Sequence, residues 1–388
     1  VTTVLWILVA LALVQGAISL RDGVRNARFV LQYPDPPPAT SGRVLLLCPA
    51  KGEDPNLTAN ARSLLAQDYP DYRVVFLVDD PADPAALTLS GIEGATLEVG
   101  GRSPDRGQKV HNLLHGVARF GDTADVWVFA DADASFPSGW LRRLVAPLGE
   151  AGVGATTGYR WYVPPAGEGA SLLRSAWNAT VAGFLGPHRQ NFAWGGSMAI
   201  RREVFREARI GALWAHAVSD DYALTHGVRR HGMRVAWVPT CLVPAYEGCS
   251  WPELVEFTTR QIRITRVYAP AIWRMGFASY TLFNVTFWWT TVASLTGRWE
   301  FAPAWVAIYL LTVVRSEVRL RGVGRAITDE SLRRYRWFYR LSTPLVSLVY
   351  QLNFVLSAFS RRIVWKDVVY TMVSPEETRV EFLDSPDR

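Results

Sequence analysis

Three cysteines in 388 residues are too few, and odd in number, for a disulfide framework, and Cys48, Cys241 and Cys249 lack the spacing of a zinc site. The six histidines, His111, His115, His188, His216, His226 and His231, also show no metal-ligand spacing. No Ser/His/Asp pattern and no glycine-rich phosphate loop occurs, which removes the hydrolase and P-loop readings. Internal repeats are absent, and no nucleic-acid-binding motif accompanies the formal charge of +6. That charge is concentrated in "RSEVRLRGVGRAITDESLRRYRWFYR", beside apolar segments, so it reads as a cytoplasmic loop held near anionic lipid, with no nucleic-acid partner.

Apolar runs are what the chain has in quantity. Sixteen tryptophans and a hydrophobic fraction of 49% come with apolar runs clustered at both ends, which points to membrane segments around a soluble middle. "VTTVLWILVALALVQGAISL" has the ~20 residues needed to cross a bilayer. Arg21, Arg25 and Arg28 follow it, where a signal peptide has its basic residues in front. By the positive-inside rule the chain beyond residue 20 then lies in the cytoplasm.

The expected organisation is a transmembrane anchor over 1–20, a basic juxtamembrane segment and proline-rich linker over 21–41, and a cytosolic catalytic domain over 42–250. An amphipathic interfacial helix follows over 251–272, with Trp251, Leu254, Val255, Thr258 and Ile262 on one face. Membrane segments occupy 273–362, with a basic cytosolic loop at 315–340, and 363–388 is a tail. The segment 341–360 has arginines on both sides, so it either spans or re-enters.

Within the middle region strands alternate with helices. "RVLLLC", "YRVVFLV" and "VWVFA" read as buried strands, "DPNLTANARSLLAQ" as a helix capped by Asp54 with Pro55 first, and "GQKVHNLLHGVARF" as a second helix. That order predicts right-handed crossovers and a largely parallel sheet, with ligands at the carboxyl ends of the strands. Three polar clusters, "PAKGED" (Pro49 to Asp54, with Lys51 and Glu53), "DDPADP" (Asp79 to Pro84) and "DADAS" (Asp131 to Ser135), fall at those ends and should share one edge.

Asp131 and Asp133 offer oxygen ligands to a hard divalent cation that keeps positions open for water and a substrate phosphate, or they cap the next turn. Asp79 and Asp80 can accept from a base or ribose, or can be turn residues before Pro81. Lys51 and Lys109 can hold phosphates, or lie on the surface in water. Asp220 and Asp221 open a helix that Ser219 or Asp220 can cap, and a carboxylate there can also act as a general base. In "NFAWGGSMAIRREVF", Gly195 and Gly196 permit close backbone approach and Trp194 offers a stacking face, although glycine pairs also occur in plain turns.

"CPAKGEDPNLTANARSLLAQDYPDYRVVFLVDDPADPA" resembles the start of the catalytic domain of ceramide glucosyltransferases (family 21-like) and their bacterial relatives, within the family 2 type of inverting glycosyltransferases. The resemblance continues through "GQKVHNLL", "DADAS", "WGGSMAIRREVF", "SDDYALTHGVRRHGMRVAWVP" and "RRIVWKDVVY". It implies a GT-A-type, Rossmann-like domain with N- and C-terminal transmembrane helices, a UDP-sugar donor and a Mg or Mn ion. By motif, Asp80 corresponds to the nucleotide-binding aspartate, Asp133 to the metal and diphosphate aspartate with Asp131 beside it, and Asp221 to the catalytic base. Pro49, Lys51, Glu53, Lys109 and Asp220 complete the expected donor site, and Trp194, Gly195 and Gly196 the acceptor side. "RQIRI" falls where the family carries Gln or Arg, two residues, Arg and Trp, so Arg260 and Arg263 fit and Ile264 replaces the tryptophan.

A processive polysaccharide synthase keeps that tryptophan and has more spanning helices. The resemblance therefore implies one sugar, glucose, moved to one lipid hydroxyl, of ceramide or a similar lipid, at a bacterial inner membrane with the catalytic domain facing the cytoplasm. A processive synthase and a catalytically silent nucleotide-binding membrane protein are the alternatives.

Overall fold

The computed structural model describes residues 2–34, 42–165 and 168–383, in two compact units. Most of the expected linker, 35–41, lies outside the described residues.

One unit comprises 33–161, 187–246 and 361–388. Its strands are β1 (Val44–Pro49), β2 (Tyr72–Val78), β3 (Thr96–Val99), β4 (Val126–Ala130), β5 (Val153–Tyr162), β6 (Ser197–Arg201) and β7 (Arg234–Ala245), in the spatial order β3-β2-β1-β4-β6-β5-β7. β1 pairs in parallel with β2 and β4, and β2 with β3, as the alternating pattern predicts. β6 runs antiparallel to both β4 and β5, so the sheet is mixed.

The strands form because continuous apolar runs suit a sheet covered on both faces: Val44 to Leu47 are fully buried, and Val128, Phe129 and Ala130 likewise. Helices Leu57–Leu65 and Gln108–Phe120 match the two expected ones. The first starts at Leu57, after Asn56, instead of at Pro55, because Asp54 turns back to accept from Asn56 N at 2.8 Å and so shapes the turn before the helix.

The stretch 363–388, expected to be a tail, is for the most part a second, antiparallel sheet: β8 (Arg362–Trp365), β9 (Val368–Ser374) and β10 (Glu377–Phe382). Ile363, Val368, Val369, Tyr370 and Met372 are buried. The β-branched and aromatic residues of "RIVW" and "VVYTMVS" carry this signal.

The other unit, 1–32, 162–186 and 247–360, is helical. Helix Gly169–Ala182 belongs to it although it lies inside the stretch expected to be wholly catalytic. Helix Thr2–Gln32 runs without a break through the expected anchor and most of the basic segment behind it. Its Leu5 packs with Ala293 and Phe301, and its Ala12 with Phe287 and Ile308. Three helices meet at a buried polar knot, where Asn353 donates to Thr258 and Thr259 at 3.0 Å and accepts from the Trp177 indole at 3.2 Å.

On helix Trp251–Tyr268 the buried residues are Leu254, Thr258, Thr259, Ile262 and Ile264. Trp251 is exposed and Val255 half-buried, so the inner face is rotated from the expected one. The expected basic loop 315–340 is mostly helical, in Ala302–Ala326, Glu330–Arg334 and Arg336–Leu341. Its arginines are partly neutralised in place, since Glu317 accepts from Arg321, Arg336 and Arg340.

Two helical stretches, Thr2–Gln32 and Trp299–Ala326, are long and apolar enough to cross a membrane. The apolar helix Thr343–Phe359 has 17 residues, about 25 Å at ~1.5 Å per residue, and so falls short of a full hydrocarbon core.

Candidate active site

The carboxyl ends of β1, β2 and β4 gather the polar clusters at one edge, as expected. After β1, Lys51 forms an ion pair with Asp79, which follows β2, and with Asp367 Oδ1 at 3.1 Å. Gly52 N donates to Asp83 Oδ1 at 2.7 Å. Burial works against the Lys51 charge, but Asp79 and Asp367 hold its pKa above the ordinary lysine value.

After β4, Asp131 accepts from two cations. Lys109 Nζ lies 2.7 Å from its Oδ1, and an Arg160 nitrogen 2.8 Å from its Oδ2. Arg160 reaches Asp133 Oδ2 with its other terminal nitrogen, also at 2.8 Å, and stacks over the Trp194 ring at 5.1 Å. Lys109 in turn reaches Asp220 Oδ2 at 3.2 Å. A cation in the first turn of helix Gln108–Phe120 opposes the helix dipole, so these carboxylates are what keep Lys109 there. They hold its pKa well above the ordinary lysine value although burial opposes the charge. Burial pushes Asp131 upward as well, but Lys109 and Arg160 prevail and its pKa is lowered.

Asp220 and Asp221 open helix Asp220–Arg230 behind the Ser219 cap, as expected, where the dipole favours acids. Asp221 Oδ1 accepts from Ser219 Oγ and from Tyr222 N at 2.7 Å, while Oδ2 faces Gly195 N at 3.4 Å. Burial pushes the Asp220 pKa up to about 6, against Lys109 and with help from Asp221 and Asp131.

Folding then favours the protonated form of Asp220, so its contribution to stability is complete below pH 4 and is lost as pH rises towards 6. An Asp220→Asn variant lacks that loss. Across pH 4 to 7 its stability in urea unfolding should gain on the parent's by about 2 kcal/mol. A gap that stays constant or closes would contradict this assignment.

The glycine pair is sterically required. A Cβ on Gly195 would collide with Asp220 Oδ2 and sit 2.7 Å from Lys109 Nζ, and one on Gly196 would collide with the Trp194 ring and sit 2.5 Å from Asp131 Oδ2. Both residues therefore let the backbone pass against the acid cluster.

The other expected residues fall as follows. Pro49 ends β1 and Glu53 is exposed nearby. Asp80 Oδ1 accepts from Ala82 N at 2.9 Å, the bond of a turn residue, and its neighbour Asp79 is the buried one. Arg260 and Arg263 lie in the helical unit; Arg260 pairs with Glu256 at 3.4 Å, and Ile264 is buried there. Arg160 had no sequence signal beyond a lone arginine in a strand, and Asp367 lay in the expected tail.

Asp133 fits a cation better than Asp131 does. Its Oδ1 is shielded from solvent with no hydrogen-bond partner among the described residues, whereas both Asp131 oxygens are engaged. Among the described residues no group of three His, Cys, Asp or Glu is arranged around a single ion. One carboxylate with substrate phosphate and water is the coordination a Mg-like ion accepts.

The model of glycosyl transferase family 21 matches residues 4–377. The chain belongs to this family. It is accordingly a sugar transferase, and the mixed sheet with its carboxyl-edge acids is a GT-A-type fold.

Three solved structures resemble this family 21 chain. The mannosyltransferase PcManGT from Pyrobaculum calidifontis, in complex with GDP-Man and Mn2+, is 18% identical with a TM-score of 0.49, over 91% of this chain and 98% of its own. Glucosyl-3-phosphoglycerate synthase from Mycobacterium tuberculosis, with Mn2+, UDP-glucose and phosphoglyceric acid, is 18% identical with a TM-score of 0.41, over 58% and 79%. GalNAc-T7 with UDP, GalNAc and Mn2+ is 15% identical with a TM-score of 0.41, over 58% and 48%.

Proposed function

We propose that the protein is a membrane-bound inverting glycosyltransferase that moves a single sugar, glucose, from a UDP-sugar to the hydroxyl of a lipid such as ceramide. The observation that carries this reading is the Lys109 bridge, which ties Asp131 to Asp220 and so sets the Asp-x-Asp turn beside the helix that carries Asp221. Donor binding and proton removal need that proximity.

In this reading Asp133 holds Mg or Mn, which when bound supplies positive charge to the donor diphosphate. Arg160 and Lys109 keep the acid pair in place, and Lys51 with Asp79 and Asp80 lines the nucleotide end. Asp221 Oδ2, the more weakly held oxygen, takes the proton of the acceptor hydroxyl. As the proton leaves, the hydroxyl oxygen bonds to the anomeric carbon from the face opposite UDP. The bond from that carbon to the phosphate oxygen breaks, UDP departs with the electron pair, and the configuration inverts. Trp194, Gly195 and Gly196 form the acceptor side, and Arg260 and Arg263 are the residues that match the family's leaving-group motif.

A lipid acceptor is supported by two helical stretches apolar enough to cross a bilayer. Arg21, Arg25 and Arg28 after the first apolar run support a cytoplasmic face at a bacterial inner membrane, where UDP-sugars are made.

The test is transfer from labelled UDP-glucose to lipid extracts and defined ceramides, with and without Mn2+. A labelled, chloroform-soluble product that disappears on chelation is expected. Metal-dependent UDP binding with no product from any acceptor would favour the catalytically silent alternative.

A further inference from the structure

The chain carries 41 basic residues, and three of them are lysines: Lys51, Lys109 and Lys366. Where arginine serves almost everywhere, a lysine marks a place suited to a compact ammonium. Two of the three already lie in the acid cluster. The third is at the tip of the β8–β9 hairpin, where Trp365 pairs with Val368 across a two-residue turn.

Lys366 has a left-handed backbone, with φ +57, and Asp367 does not. A tight hairpin with positive φ at its first central residue normally has glycine there, because a side chain resists that conformation. Turn stability therefore does not explain a lysine at this position, and strain at a loop tip is a pointer to function.

The turn also sits against the site already described. Lys366 Nζ lies 3.7 Å from where a Cβ on Gly52 would stand, and Asp367 pairs with Lys51. Burial raises the Asp54 pKa against the hydrogen bond from Asn56 N, Asp133 adds to the rise, and Lys366 and Arg160 oppose it, so Lys366 acts on a carboxyl that the metal-side aspartate also reaches. Lys366 itself is exposed and makes no hydrogen bond or ion pair among the described residues. The sheet behind the turn is anchored to the same unit: Tyr370 accepts from Gln108 N at 3.1 Å, next to Lys109, and Thr378 donates to His216 O at 2.7 Å.

We propose that the C-terminal hairpin is a wall of the donor site and that the Lys366 ammonium binds the diphosphate of the nucleotide sugar. Asp367 positions Lys51 from the same turn. This inference rests on the UDP-sugar reading given above.

Titration calorimetry on the full chain in nanodiscs, with Mn2+, tests it by comparing UDP and uridine binding to the parent and to Lys366→Gly. Glycine removes the ammonium and suits the left-handed backbone, so folding is preserved and the thermal midpoint should hold or rise. UDP affinity should fall about tenfold, as expected for one lost phosphate cation, with uridine affinity unchanged. Unchanged UDP affinity, or an equal loss for uridine, would overturn the role of Lys366 alone. A parent that binds no UDP would overturn the donor assignment and this inference with it.

Discussion

An Asp221→Asn enzyme should bind UDP within about threefold of the parent and transfer sugar roughly 10²- to 10⁴-fold more slowly, the range that a general base contributes. Asparagine keeps the size of the side chain and can still accept from Ser219 Oγ and Tyr222 N, so the start of helix Asp220–Arg230 should survive. What it loses is the ability to take a proton. The measurement is single-turnover transfer alongside calorimetric UDP binding. Near-parental transfer would remove Asp221 as base, while loss of UDP binding would show that the residue serves the donor.

Asp133→Ala should produce the second large effect, on the opposite side of the same reaction. Metal-dependent UDP binding should fall by at least about 100-fold, and transfer with it, because Asp133 supplies the oxygen open to a hard cation while both oxygens of its neighbour Asp131 are engaged by Lys109 and Arg160. Arg160 retains Asp131 as a partner at 2.8 Å, so removing Asp133 leaves no isolated buried guanidinium and the fold should hold. Mn2+ binding followed by electron paramagnetic resonance gives a readout independent of turnover. Asp131→Ala is the contrast: it strips Lys109 and Arg160 of their shared partner and should lower the thermal midpoint as well as activity. If Asp133→Ala binds Mn2+ and UDP as the parent does, the cation is held elsewhere.

The opening strands, the Asp-x-Asp turn and the acid pair behind Ser219 were legible because each is a local pattern. A run such as "VWVFA" is strand-like at any position, and an Asp pair after Ser suits a helix start whatever surrounds it. Lys109 was also found, but its role was not: surface lysine and phosphate ligand look alike until Asp131 and Asp220 are seen on either side of it. The antiparallel β6 was not anticipated, since strand direction follows from the path of the chain and not from side-chain period.

Three differences from the sequence pattern share one cause. The stretch 363–388 reads as a tail, 315–340 as a basic loop, and Gly169–Ala182 as part of the catalytic domain, whereas the structure has a sheet, helices, and a helix of the other unit there. Each depends on partners outside the reach of a local pattern: Tyr370 on Gln108 and Trp177 on Asn353, far away in the chain, and Arg336 and Arg340 on Glu317, 19 and 23 residues before them. Local propensity cannot register contacts of that kind.

Residue order alone was enough to establish the family, the strands whose ends carry acids, and the apolar lengths able to enter a bilayer, because motif spacing and hydrophobic period are properties of short segments. Which carboxylate of the Asp-x-Asp turn keeps an oxygen without a hydrogen-bond partner among the described residues, which cation bridges which pair, and that the C-terminal hairpin closes on Lys51 were decided by folding. Charges separated by up to roughly 300 residues interact through a few ångströms of space, and only the assembled sheet brings them that close.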